Sequence, residues 1–213
     1  MKDLADMRTS YEEGSLNQDN LAPDPMILFE NWYHDAERKG IPEPNAMTLA
    51  TATAEGHPSA RMVLLKGFSK EGFVFYSNYT SRKGQELATN PFAALNFWWK
   101  EMERQVRVEG SVVKTSEDQS TSYFNSRPRG SQLSAWASPQ SQEIKEHYLT
   151  SKRTEVESQF KEETTIPLPP HWGGYVLKPS IIEFWQGRPD RFHDRYRYSL
   201  TDDGLWRIVR LAP

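Results

Sequence analysis

The sequence predicts a mainly β protein with helices: a small antiparallel barrel, or a sandwich, with helices inserted into it and flanking it. Three observations predict this. Runs rich in Val, Leu, Phe, Thr and Trp recur between residues 46 and 113, a composition that suits a pleated, half-buried surface. The turns Glu55-Gly56 and Lys70-Glu71-Gly72 are short, which favours antiparallel neighbours over parallel βαβ units. Segments with helical spacing or dense charge lie before, within and after the strand-rich stretch.

Residues 1–22 are polar and irregular, with Gly14 and Asn17 as turn formers, and read as an arm or as a tail without fixed structure. Asp24-Pro25 opens a helix, Asp24 capping and Pro25 in the first helical position. Ile27, Leu28, Trp32 and Ala36 carry its apolar spacing, and Gly40 ends it. Strands are expected at Ala46–Thr53, Ser59–Lys66, Phe73–Ser77, Pro91–Trp99 and Glu103–Val113, with a short helix at Ser81–Ala88. Residues 116–162 turn helical, divided by Pro128 and Pro139, and Ser141–Glu162 reads as one long solvated helix. After the Pro-rich link IPLPP, Gly174–Leu211 returns to strands. The expected organisation is an arm over 1–22 and a single domain over 23–213.

Composition limits the function classes. The chain has 213 residues, enough for one sizeable core, and a formal net charge of −3. That balance suggests neither nucleic acid nor an acidic membrane as partner. With no cysteine, disulfides, thiolate catalysis and iron–sulfur ligation are excluded. The first residues hold no apolar core of a secretory signal, and no apolar run approaches the ~20 residues of a membrane span. These features fit a cytoplasmic protein. Mean hydropathy is low at −0.76, but 12% aromatic content with seven Trp argues against disorder.

Several motifs are missing. The sequence has no GxGxxG, Walker A loop, HExxH or GxSxG. His34, His57, His147, His171 and His193 are scattered without metal-ligand spacing. Redox chemistry would need an organic cofactor.

Positive charge is arranged more suggestively. Arg61 and Lys66 differ in strand parity, so a regular strand aims them at different places; they serve two anionic groups or are surface charges at strand ends. Ser81 caps a helix that starts with Arg82 and Lys83. Cations at a helix start are unfavourable unless an anion is bound there, where the free N–H groups and the dipole add to them. Tyr123 and Arg127 share a helix face, Pro128 pushes Arg127 toward extended backbone, and Ser131 begins the next helix. Together these three can hold a small phosphate. Arg188, Arg191, Arg195 and Arg197 crowd one stretch. On a strand, Arg191, His193 and Arg195 would face one way, either toward an anion or cross-paired with acids. Trp185-Gln186-Gly187 offers a flat aromatic surface beside a backbone that a ligand can approach. The residues therefore describe a binder of phosphorylated aromatic heterocycles, without disclosing a reaction.

The segments LAPDPMILFENW, RMVLLKGF, FVFYSNYTSRKGQELATNP, ERQVRVEG, YFNSRPRGSQLSAWASPQS, EFWQGRPDRFHDR and WRIVRLAP, in this order, resemble the pyridoxine/pyridoxamine 5'-phosphate oxidase family over nearly the whole chain. SRKG alone is weak; SRPRGSQ with RFHDR is specific. The resemblance implies an FMN-binding split β-barrel and a homodimer with noncovalent FMN at its interface. It assigns FMN to Arg61, Met62, Val63, Leu64, Leu65, Lys66, Tyr76, Ser77, Arg82, Lys83, Gln105, Gln140, Ser141, Trp185 and Arg195. The substrate phosphate falls to Lys66, Tyr123, Arg127 and Ser131. Arg191, Phe192 and His193 fall beside the substrate ring, with Arg191 and His193 as the catalytic pair, and Arg8 and Tyr11 in the arm that closes over it. Phe192 stands where Leu is usual and Ser134 where Gly is common.

The implied reaction oxidises pyridoxine 5'-phosphate and pyridoxamine 5'-phosphate to pyridoxal 5'-phosphate, by hydride transfer from C4' to the flavin. O2 is the acceptor, with release of H2O2, and of ammonia from the amine. Two rivals differ in what they require. Another split-barrel flavin enzyme would not need Tyr123, Arg127, Ser131 and RFHDR. A non-catalytic carrier of pyridoxal 5'-phosphate would not need the FMN set.

Overall fold

The computed structural model describes residues 3, 4 and 10–213. Helix α1 (Pro25–Arg38) starts as its sequence dictates: the Asp24 carboxylate accepts the Met26 N–H at 2.8 Å, and Pro25 fills the first turn. Beyond the last turn, Gly40 takes φ +73°. Leu28, Phe29, Trp32 and Ala36 form the buried stripe, whereas Ile27 is 49% exposed. Its neighbour Leu28 takes the inward phase at that turn, so Ile27 falls outside the stripe.

The strands are β1 (Ala46–Ala52), β2 (Pro58–Leu64), β3 (Gly67–Ser69), β4 (Gly72–Asn78), β5 (Phe92–Trp99), β6 (Arg104–Lys114), β7 (Trp172–Gln186), β8 (Asp194–Leu200) and β9 (Trp206–Arg210). Among the described residues they run in the order β2-β1-β5-β6-β7-β4-β3, with β8 pairing β7 and β9 pairing β8. The β3–β4, β4–β7, β7–β8 and β8–β9 ladders are antiparallel. Between strands lie α2 (Arg82–Thr89), α3 (Glu117–Ser126), α4 (Arg129–Ala137) and α5 (Tyr148–Gln159).

Two further expectations fail locally. Ser141–Glu162 is not one helix, because Ser141 leaves the helical basin with φ +71° and only Tyr148–Gln159 coils. Strand β2 stops at Leu64, so Lys66 lies beyond it and the parity argument for Arg61 and Lys66 does not apply.

The chain forms two compact units. The first contains residues up to Leu49, Ala94–Gly110 and Pro179–Pro213. Its core sets α1 against strands: Phe29 meets Phe97 at 5.1 Å, and Trp32 meets Phe184 edge-on at 5.2 Å. Arg104 lies over Trp32 at 4.5 Å and pairs with Asp35 at 2.7 Å. The second unit contains Ala50–Ala93 and Ser111–Lys178. Its helical side closes over Phe124, Leu133, Val156, Phe160, Ile166 and Trp172, all buried. Each fully buried aromatic or aliphatic side chain contributes roughly 1.5–3 kcal/mol by leaving water.

Candidate functional site

In the second unit, β4 delivers the chain to α2 through a tight corner. Ser81 caps the helix, its hydroxyl donating to the Asn78 carbonyl at 2.6 Å and accepting the Gly84 N–H. Only glycine fits at position 84, where a Cβ would meet the Tyr79 carbonyl oxygen at 2.2 Å. The corner aims Lys83 inward. Its Nζ, on a residue only 7% exposed, donates to Gln140 Oε1 at 3.0 Å, Ser77 Oγ at 3.1 Å and Ser81 Oγ at 3.3 Å. These are neutral oxygens around a cation. Burial, and then the charge on Arg61, push the ammonium pKa down, with Glu86 opposing. A buried cation held this way is stabilised by an anion.

Beside it, Arg61 on β2 donates Nη1 to Thr51 Oγ1 at 2.6 Å and Nη2 to Ser59 Oγ. Arg82 donates Nε to Glu86 Oε1 at 2.8 Å. Glu86 is buried, which alone would raise its pKa. Hydrogen bonds from Ser59, Thr51 and Arg82, with the Arg82 charge, bring it down to about 2.

Farther along the same unit, α3 ends at Arg127, held extended (φ −75°, ψ 147°) by the following Pro128, as expected. The Arg127 guanidinium lies 4.6 Å over the Trp172 ring, and its Nη1 is buried with no hydrogen-bond partner. Burial lowers the Arg127 pKa, with Tyr123 opposing. Tyr76 and Tyr123 stack at 3.8 Å, and Tyr76 stacks on Trp172 at 5.6 Å.

Most of these groups, though not Thr51, Ser81 or Glu86, line one cavity of ≈ 990 Å³ within the second unit. It takes in Arg61, Met62, Val63, Leu64, Lys66, Tyr76, Ser77, Arg82, Lys83, Tyr123, Arg127, Ser131, Gln140 and Ser141 from the predicted set. Leu65 is buried and does not line it. The volume is at the upper end of ligand sites. Arg61 and Lys66, thought to point apart, face the same space.

The first unit holds the remaining predicted residues. Gln105 lies on β6, Trp185 on β7 and Arg195 on β8. Arg195 is gripped by Glu183 Oε1, from Nε at 3.0 Å and Nη2 at 2.9 Å, while Nη1 donates to the Ala212 carbonyl at 2.8 Å. Arg191, His193 and Arg195 do not share a strand face. Strand β8 begins only at Asp194, and Asp190 and Arg191 both adopt left-handed backbone (φ 54° and 64°). Two consecutive non-glycine residues there carry strain, a feature that clusters at functional sites. Phe192 is 75% exposed.

His193 packs on Trp185 at 4.6 Å. Its Nδ1 accepts the Arg188 N–H at 3.1 Å, which leaves the proton of the neutral ring on Nε2. Burial and then Arg191 lower its pKa, with Asp194 opposing. The arm reaches this cluster. Tyr11 lies 5.8 Å from Trp185 and 5.7 Å from His193. Gly187 admits it, since a Cβ there would meet Tyr11 and Glu103 side-chain atoms at 2.9 Å. The arm is tied down by Leu16 N–H to Asp194 Oδ2 at 3.1 Å and by Arg188 Nη1 to the Gly14 carbonyl at 2.8 Å. Arg8 lies outside the described residues.

Sequence reasoning missed Thr51, Ser59, Glu86, Trp172 and Glu183. Glu86 had a signal in its i+4 spacing from Arg82, and Glu183 in sharing strand parity with Trp185. Trp172 had none, because it reaches the stack through the β4–β7 register that pairs it with Asn78.

The profile of the family described as pyridoxamine 5'-phosphate oxidase matches residues 33–160, and that of the pyridoxine 5'-phosphate oxidase C-terminal dimerisation region matches 172–213. The chain belongs to the pyridoxamine 5'-phosphate oxidase family. It is 55% identical to the pyridoxine/pyridoxamine 5'-phosphate oxidase of Cupriavidus necator, covering 100% of both chains. With that of Acaryochloris marina it shares 53% identity, over 99% of this chain and 95% of the relative. Among solved structures it is similar to PhzG from Burkholderia lata 383 in complex with tetrahydrophenazine-1-carboxylic acid (TM-score 0.88, 30% identity, 96% of this chain and 100% of that one). A pyridoxamine 5'-phosphate oxidase-related, FMN binding protein from Nostoc punctiforme shares the fold (TM-score 0.69, 17% identity, 91% and 99% covered). The expected antiparallel split-barrel class with flanking helices is the family's fold. Among the described residues no helix is long and apolar enough to cross a membrane.

Proposed function

We propose that this protein is an FMN-dependent oxidase, active as a homodimer, that converts pyridoxine 5'-phosphate and pyridoxamine 5'-phosphate to pyridoxal 5'-phosphate. The carrying observation is that one cavity is lined by two cationic groups on different elements, Arg61 on β2 with Arg82 and Lys83 at the start of α2, and half-buried Arg127 at the end of α3 with Tyr123. Two phosphate groups, one on a cofactor and one on a substrate, fit that division. The full-length relatives carry the name of this activity.

The donor set fits FMN. Lys83 is held by three neutral oxygens, and Arg61 and Arg82 are pre-oriented beside the Ser81-capped start of α2. Arg61 through Lys66, Tyr76, Ser77, Arg82, Lys83, Gln140 and Ser141 would hold the cofactor, with Gln105, Trp185 and Arg195 completing the set at a dimer interface. FMN held by these residues would supply the two-electron redox chemistry, with O2 as the final acceptor and H2O2 as its product. Lys66, Tyr123, Arg127 and Ser131 would clamp the substrate phosphate and fix the pyridine ring in place. Arg191 would cover that ring, and His193, through Nε2–H, would donate to the substituent on C4'. Arg8 and Tyr11 would close the arm over it. A cytoplasmic setting, and one domain over 23–213 with an arm before it, belong to the same reading.

An oxidoreductase acting on an unphosphorylated ligand is the competing split-barrel reading, and the likeness to PhzG motivates it. Comparing pyridoxine with pyridoxine 5'-phosphate separates them. Turnover of the phosphate ester alone, with a KM raised at least tenfold by Arg127→Met, is expected from loss of charge-assisted hydrogen bonds. Equal turnover of both compounds would overturn the phosphate-clamp reading.

A further inference from the structure

Glu86 does not line the cavity, yet it is an anomalous neighbour for a site meant for anions, because it holds two of the lining cations. It is 4% exposed and sits among three cations, two of which it touches. A carboxylate there opposes any incoming phosphate through space. Its contacts indicate a different role. Oε1 receives Arg82 Nε at 2.8 Å. Oε2 receives the Ser59 hydroxyl at 2.6 Å and the Thr51 hydroxyl. Both hydroxyls have thus committed their one proton to Glu86, so toward Arg61 they act only as acceptors. Arg61 Nη1 donates to Thr51 at 2.6 Å and Nη2 to Ser59, with Nη2 3.5 Å from Oε2. The result is a fixed chain of guanidinium, paired hydroxyls, carboxylate and second guanidinium. Arg61, Arg82 and Lys83 against Glu86 leave two positive charges, the magnitude of a phosphate monoester dianion.

We propose that Glu86, acting through Thr51 and Ser59, is a positioning residue that orients Arg61 and Arg82 for the cofactor's phosphate and so sets the preference for a phosphorylated flavin over an unphosphorylated one. The proposal rests on the FMN reading above. Glu86 does not touch the phosphate; it fixes the donors that do, and pre-orientation lowers the entropy lost when the anion binds.

A charge-only role and a positioning role predict opposite signs. Removing a negative charge from a cationic pocket should tighten FMN if only net charge matters. If Glu86 positions the donors, Glu86→Gln should weaken FMN about tenfold, the scale of one charge-assisted hydrogen bond. Riboflavin, which has no phosphate, should bind within about twofold of wild type on the same scale. The measurement is fluorescence titration of both flavins against wild type, Glu86→Gln, Thr51→Val and Thr51→Ser, with Tm for each. Thr51→Val removes the relay without changing charge and should also weaken FMN selectively, while Thr51→Ser restores it. Unchanged or tighter FMN binding in both Glu86→Gln and Thr51→Val overturns the proposal. So does an equal loss for FMN and riboflavin, which marks a structural role. Wild-type protein that binds neither flavin overturns the FMN reading and this inference together; wild type that binds FMN beside unaffected variants overturns this inference alone.

Discussion

At the scale of single residues, the site is governed by where charge is buried and what holds it. Lys83 is a buried ammonium on neutral oxygens. Lys83→Met keeps the aliphatic stem but removes the charge, and should weaken FMN about 10- to 100-fold by fluorescence titration, the effect of one charged hydrogen-bonding group. His193 has its pKa lowered from 6.5 by burial and by Arg191. A lowered value means the ring stays neutral, with Nδ1 able to accept the Arg188 N–H, until the pH falls below 6.5; protonation breaks that orienting contact, so the acid limb of kcat/KM should lie below 6.5. Arg191→Met should cut turnover about 10²-fold with FMN still bound, as removal of an oriented cationic donor does, and should move that limb upward because the repelling charge is gone. A limb unmoved in the variant would separate His193 from Arg191. Most of these residues were legible in the sequence. Glu86 was not, because a carboxylate among cations reads as an ordinary helix ion pair until its burial is known.

At the scale of elements, caps and turns decided the outcome. Asp24-Pro25, Gly40, Ser81 and Arg127-Pro128 each do what local stereochemistry dictates. The failures came where regular geometry was extended too far. RFHDR alternates in sequence, but positive φ at Asp190 and Arg191 breaks the strand before it starts. Lys66 falls past the end of β2, and charge density over 141–162 gave no hint that Ser141 leaves the helical basin. Helix α1 holds its unit through Phe29, fully buried and packed on Phe97 and Trp99. Phe29→Ala should cost about 3–5 kcal/mol, transfer plus cavity, read as a lower urea midpoint with an unchanged slope. A loss below 1 kcal/mol would show that α1 is not a main support of that unit.

At the scale of the whole molecule, the antiparallel strand class was readable from composition and turn spacing. The division into two units was not, because each is assembled from separate stretches of chain that only the strand order brings together. The predicted cavity residues gather in one unit, and Trp185, Arg191, His193 and Arg195 in the other. The C-terminal segment 172–213 matches a dimerisation region, so the oxidase reading expects a dimer on size-exclusion chromatography with light scattering.

The most direct test is an aerobic assay of purified protein with FMN and pyridoxine 5'-phosphate, following pyridoxal 5'-phosphate and H2O2 together. Formation of both in equal amounts, dependent on FMN, is the predicted result. Bound FMN with neither product formed would contradict the oxidase reading and leave only the flavin-binding fold.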